Sequence, residues 1–253
     1  MPTAAAVVIG DEILNGQVRD ENSARLIEAL RAVGVRLQRI VTIGDDIADI
    51  AEAVLQCATR YDYVFTSGGL GPTHDDRTVE AIARAFGTNV VRAPELVSVI
   101  ERHMGSHVND AALKMAEVPE GAQLLDGGPY PIVCYRNVFI LPGVPEIFAA
   151  KLGALLPQFE GELPMVQGIY LSLDESLIAA QLNQVVAEFG DVKLGSYPRL
   201  GQPDYKVLIT VESVQCPRVS AVVARLLELL PPSAVVRVDT LCAPSDAERF
   251  EPE

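Results

Sequence analysis

Between Thr66 and Thr78 the chain reads Thr-Ser-Gly-Gly-Leu-Gly-Pro-Thr-His-Asp-Asp-Arg-Thr, after an apolar run and before a helix-like pattern. Gly68, Gly69 and Gly71 let the backbone come close to a bulky anion and take dihedrals that side-chain-bearing residues resist. Asp75 and Asp76 stand side by side at a helix start, where two carboxylates can bind a hard cation. The chemistry this predicts is the handling of a phosphate beside a metal ion. A plain turn needs one or two glycines and a plain N-cap needs one acid, so the combination exceeds what local structure requires.

Other chemistry-bearing residues fall at the ends of apolar runs. Gly10, Asp11 and Glu12 follow the first run, Asp45 and Asp46 follow the second, and Pro142-Gly143-Val144-Pro145-Glu146 follows a later one. Ser67 and Thr78 add hydroxyls to the glycine stretch. His74, as a histidine, is a candidate general acid or base, or else simply faces solvent. His103 and His107 are four apart on an expected helix but lack a third ligand, so a surface helix is the preferred reading. Cys57, Cys134, Cys216 and Cys242 are widely spread without a Cys-x-x-Cys pair, the pattern of free thiols rather than a zinc site.

The elements that must position these residues begin with a short apolar run, Ala4 to Ile9, the pattern of a strand buried on both faces. Helical spacing from Asn22 to Val33 stops at Gly34; a strand follows over Val35–Ile43, then a helix to Arg60 and a strand over Tyr63–Thr66. This βαβα order predicts a parallel sheet. The glycine stretch leaves the third strand and enters a helix over Thr78–Phe86, where helix N–H groups favour anions. Helices are expected over Pro94–His107 and Asp110–Ala116, strands over Ile132–Cys134 and Val138–Leu141, and a helix over Glu146–Leu156. Beyond the Pro/Gly-rich stretch 157–164, strand- and helix-like runs alternate as βαββαβ, the ferredoxin-like arrangement. The expected division is therefore residues 1–157, residues 164–240 and a polar tail, 241–253.

With 20 basic and 34 acidic residues the net charge is -14, which disfavours nucleic-acid polymers and anionic membranes as partners. A small nucleotide stays compatible, because a metal and local N–H groups override the global field at one site. No segment reaches the length of a membrane span, and the start of the chain lacks a secretory pattern, so a reducing cytoplasm is the expected location.

Gly10-Asp-Glu-Ile-Leu14 with Gly16 and Asn22, Ser67 through Thr78, and Leu141-Pro-Gly-Val-Pro-Glu146 together resemble the MoaB/Mog-like molybdopterin-binding family. The resemblance is to the branch that includes the N-terminal domains of CinA-type competence/damage-inducible proteins and of eukaryotic FAD synthase, and it spans most of residues 4–150. His74 and Ser196-Tyr197-Pro198 are closer to the FAD synthase pattern. The resemblance implies an α/β, parallel-sheet, three-layer domain followed by a small ferredoxin-like domain. The amidase or adenylyltransferase domains of those families have no room in these 253 residues.

In the CinA and FAD synthase branch the resemblance implies divalent-metal-dependent hydrolysis of a nucleotide pyrophosphate such as FAD or ADP-ribose, with Mg, Mn or Co as cofactor. In the molybdenum-cofactor branch it implies molybdopterin binding and adenylylation; a non-catalytic nucleotide- or pterin-binding module is the third reading. Asp76 is the first candidate metal ligand, since the related fold carries its functional aspartate just before the helix-opening Thr. Asp75 would ligate beside it or hold the attacking water, with Asp45 and Asp46 as neighbours or as solvated N-caps. Gly68, Gly69, Gly71, Ser67 and Thr78 would cradle phosphate. Gly10, Asp11 and Glu12 would reach the rest of the ligand, and Gly143 and Glu146 would close the pocket. A homo-oligomer is expected, as folds of this type often associate.

Overall fold

The computed structural model describes residues 1–199, 201 and 203–241. Cys242 and the rest of the expected tail beyond Leu241 lie outside the described residues. The chain divides into two compact units, Met1–Gly161 and Glu162–Glu253.

In β1 (Thr3–Ile9) successive side chains point to opposite faces, so Ala5, Val7 and Ile9 enter one core and Ala4 and Ala6 another. The same alternation runs through β3 (Tyr63–Ser67) and β8 (Val138–Leu141). Val64, Val138 and Ile140 join the first core, and Phe65, Phe139 and Leu141 the second. Helices α3 (Ile47–Arg60) and α4 (Thr78–Phe86) cover the first face, and α2 (Asn22–Ala32) and α7 (Pro145–Leu155) the second. The result is a three-layer α/β unit. On the second face Phe65 stacks on Phe139 with centroids 5.2 Å apart, and Phe159 meets both rings edge-on.

The sheet runs β2-β1-β3-β8-β7-β6, where β2 is Arg36–Ile43, β7 Ile132–Tyr135 and β6 Gln123–Leu125. Strands β2, β1, β3 and β8 are parallel. The sheet is not parallel throughout, however: β7 and β6 are antiparallel additions. The physical reason is the shortness of the links, residues 126–131 between β6 and β7 and the two-residue Arg136-Asn137 between β7 and β8, both too short for a parallel crossover. Arg136 adopts φ 56°, as such tight links demand, and the Asn137 amide donates to the carbonyls of Ala58 and Tyr61.

Between α4 and β6 lie β4 (Val90–Arg92) and β5 (Glu117–Pro119), which pair with each other, flanking α5 (Pro94–Met104) and α6 (Asp110–Lys114). The helix expected to reach His107 ends at Met104 because Gly105, at φ 53°, leaves the helical conformation. His103 and His107 therefore do not share one helix face. A one-turn helix, α1 (Asp11–Leu14), follows β1. At the far end of the unit Gly34 and Gly161 touch: a Cβ on Gly161 would lie 2.0 Å from the Gly34 carbonyl oxygen.

The second unit contains β9 (Met165–Leu171), α8 (Ala179–Glu188), β10 (Lys193–Pro198), β11 (Val207–Ser213), α9 (Cys216–Leu229) and β12 (Val235–Leu241). Its antiparallel sheet runs β10-β11-β9-β12. Ile169, Ile209, Val222 and Leu226 belong to the core between this sheet and its helices, and Arg225 ties α9 to α8 through a two-pronged bond to Glu188. Away from that core, the Arg237 guanidinium lies 3.7 Å from the Tyr170 ring centroid. Among the described residues no helix is long and apolar enough to cross a membrane.

Cys57 and Cys134 are buried free thiols, and Cys216 is exposed. Burial pushes the Cys134 thiol up to about 11, so it carries almost no thiolate at neutral pH and is a core residue rather than a nucleophile.

Candidate functional site

The strand order fixes where a ligand can enter. β1 lies between β2 and β3, so the connection leaving β1 and the connection entering β3 run to opposite faces: α2 packs on one side and α3 on the other. Such a switch point opens a crevice beyond the carboxyl ends of the two central strands. β1 delivers Gly10, and β3 delivers Ser67-Gly68-Gly69. The two turns are in contact: a Cβ on Gly68 would sit 2.2 Å from the Ile9 carbonyl oxygen.

The glycine turn is held from three sides. Gly68, at φ 107°, donates its N–H to Leu141 O at 3.2 Å, which ties it to the end of β8. Gly69, at φ 67°, accepts from the Thr78 N–H, and a Cβ there would strike the Thr78 hydroxyl at 2.2 Å. The Thr78 hydroxyl donates to Gly68 O at 2.9 Å and is fully buried. Thr78 is thus part of the frame that shapes the turn. Gly143 closes the other side, its position 3.3 Å from Gly68 Cα as measured from an added Cβ.

A residue not singled out for a role from sequence completes the frame. Asn22, in the first turn of α2 and 5% exposed, donates from Nδ2 both to Ser67 Oγ at 2.9 Å and to Gly143 O at 2.8 Å. The only sequence signal was its place in the Gly10–Asn22 pattern, because a polar residue at a helix start ordinarily reads as a cap. Two further first turns point into the same region. The N-caps of α4 and α7 are Arg77 and Val144, and neither provides a side-chain cap, so first-turn N–H groups of both helices lack side-chain partners. Uncapped N-termini beside a glycine turn favour an anion. Glu146 is exposed in the first turn of α7.

The carboxylates occupy distinct places. Asp76 Oδ2 accepts from the Thr73 N–H at 2.9 Å and from its hydroxyl at 2.5 Å, and the carboxylate lies over Gly71, where a Cβ would meet it at 2.5 Å. Asp75 is exposed, with Oδ1 3.8 Å from His74 Nδ1. Asp75 is held below the usual carboxylate range by the nearby Thr73 hydroxyl, by the backbone N–H of Asp75 itself, and by His74 and Lys114. Lys114 also donates to Thr73 O, fastening this segment to the end of α6. His74 faces solvent, its side chain 93% exposed.

On the other side of the crevice Asp45 Oδ2 accepts the Asp11 N–H at 3.0 Å, bringing those two acids together, and the Asp11 carboxylate lies against Gly44. Glu12 folds its carboxylate back onto Gly10. Asp46 is engaged differently: Oδ1 accepts the N–H groups of Ala48 and Asp49, which caps α3 and holds its pKa down. An open groove of about 380 Å³ lined by Arg25, Glu28, Ala29 and Leu152 lies elsewhere, on the α2/α7 layer.

Residues 5–161 match the family described as probable molybdopterin binding domain, and residues 165–239 match the one described as FAD synthase, middle domain. The chain is 36% identical to a probable FAD synthase of Caenorhabditis elegans, over 90% of this chain and 50% of that protein. It thus spans about half the length of the FAD synthase relatives that it matches. A protein of Archaeoglobus fulgidus is 36% identical over 77% of this chain and 85% of its own length. The crystal structure of the protein CinA with unknown function from Thermoplasma acidophilum aligns with a TM-score of 0.58 at 31% identity, covering 62% of this chain and 97% of that one.

Proposed function

Because the chain belongs to the MoaB/Mog-like molybdopterin-binding domain family, related to the N-terminal domains of CinA and FAD synthase, we propose that the crevice binds a phosphate-bearing pterin or nucleotide. The observation that carries this reading is the meeting of the 67–69 glycine turn with the uncapped first turns of α4 and α7. The phosphate sits on backbone N–H groups and the Ser67 hydroxyl, and the pterin or base extends toward Asp11 and Glu12. Molybdopterin is the ligand that the family description supports, and adenylyl transfer is the chemistry we propose with it.

Hydrolysis of a nucleotide pyrophosphate of the FAD or ADP-ribose type is the second reading. It is favoured by the FAD synthase match over residues 165–239, where the βαββαβ order also supports a ferredoxin-like unit with expected bounds 164–240 after a site domain of 1–157. In that reaction water oxygen bonds to phosphorus, the bridging P–O bond breaks, and AMP leaves with a phosphorylated partner. Asp75 or His74 takes the proton from water.

A divalent cation, Mg, Mn or Co, fits the donors present. Asp76, Asp45 and Asp46 each keep one carboxylate oxygen outside the bonds just described, although the other oxygen of Asp46 caps α3. No group of three or more His, Cys, Asp or Glu is gathered among the described residues, so a cation here takes one or two carboxylates and completes its shell with phosphate oxygens and water, as Mg²⁺ usually does. When bound, such an ion neutralises charge developing on the phosphate oxygens. The protein acts on this ligand as a homo-oligomer in the reducing cytoplasm.

Calorimetry with molybdopterin, ATP, FAD and ADP-ribose, with and without each metal and followed by product analysis, tests the proposal. Saturable binding of at least one ligand is expected, and the products separate adenylylated pterin from AMP release. Failure of all four to bind sinks it.

A further inference from the structure

Asn22 holds its amide in one orientation only. Gly143 O accepts and cannot donate, so the nitrogen must face it, which leaves Oδ1 on the other side. That nitrogen also donates to Ser67 Oγ, and Oδ1 itself is buried with no partner. The consequence lies at Ser67. Its oxygen already accepts from Asn22, so its own proton must point elsewhere, and no described residue accepts it. A 6%-exposed serine with a committed lone pair and an unused O–H is a preset donor.

We infer that Asn22 is a positioning residue: it fixes the Ser67 hydroxyl as a donor to the ligand phosphate and pins the Gly143 turn onto the glycine turn. This rests on the phosphate-site reading above. An unsatisfied buried acceptor such as Oδ1 is costly, so Asn22 keeps this orientation for the two bonds that its nitrogen donates. Helix α2 thereby contributes to the phosphate site through Ser67 without touching the ligand. The arrangement also couples the ends of β3 and β8 across one side chain, since Ser67 and Gly143 follow or end those strands.

The test is a double-mutant cycle read as affinity for inorganic pyrophosphate, comparing the unsubstituted protein with N22A, S67A and N22A/S67A. A hydrogen bond to a charged group is worth roughly ten- to a hundredfold in affinity, so N22A and S67A should each lose about that much, and the double variant no more than the larger single loss. A tether that served stability alone would lower the melting temperature and leave the folded protein's affinity unchanged. Equal affinity of N22A and the unsubstituted protein, or losses that multiply, overturns the inference while leaving the phosphate site standing. Absence of pyrophosphate binding by the unsubstituted protein overturns both. If N22A does not fold, N22D of equal size replaces it: a carboxylate only accepts, so Ser67 must turn its proton inward. Affinity must then fall at least as far as in S67A, and an unchanged affinity overturns the inference.

Discussion

Gly68→Ala is expected to abolish ligand binding and to destabilise the first unit by about 2–6 kcal/mol, the sum of left-handed backbone strain and overpacking. Gly68 sits at φ 107°, and the new methyl would lie 2.2 Å from Ile9 O. Neither partner can retreat. Ile9 ends a strand paired with β2 on one side and β3 on the other, and the Gly68 N–H is bonded to Leu141 O. Relief therefore requires pulling the glycine turn off β8, which moves the N–H groups that face the phosphate. Gly16→Ala is the control, since Gly16 also has positive φ, 75°, but nothing lies within 4 Å of an added Cβ. Denaturant melts should show a loss of about 1 kcal/mol or a little more for Gly16→Ala, with binding intact. Equal stabilities and equal affinities for the two variants would refute the packing argument.

Replacing Asp76 separates shape from charge. Asn in this position can still accept both Thr73 bonds, so Asp76→Asn should leave the melting temperature nearly unchanged. If the pyrophosphate reading holds, metal-dependent turnover falls by about 10²–10³, the usual scale for losing one group that stabilises transition-state charge. Asp76→Ala loses the same turnover and in addition about 1–3 kcal/mol of stability, because the Thr73 N–H and hydroxyl lose their acceptor. Turnover unchanged in Asp76→Asn removes Asp76 from the chemistry and leaves it as the brace of the 73–76 turn.

The three-layer unit was legible in sequence because its signals are local. The apolar run of β1, the helical spacing of α2 and α3 and the Gly-rich exit from β3 each announce themselves within a dozen residues. The antiparallel addition was not legible as such, since β7 and β6 are short and the reversals that join β6 to β7 and β7 to β8 are set by short links rather than by any apolar period. Of the candidate site, the glycine positions and Thr78 could be read from residue types. What each acid does could not, because Asp45 and Asp46 are neighbours in sequence with opposite fates. One meets the Asp11 N–H at the end of the neighbouring strand and the other caps its own helix. Asn22 was least legible: its partners Ser67 and Gly143 lie 45 and 121 residues away.

A crystal structure of the protein with bound AMP or molybdopterin locates the phosphate directly. The phosphate is expected against the 67–69 turn, within hydrogen-bonding distance of the Ser67 hydroxyl and of first-turn N–H groups of α4 or α7. A phosphate bound in the Arg25–Leu152 groove, or anywhere away from that turn, would contradict that placement.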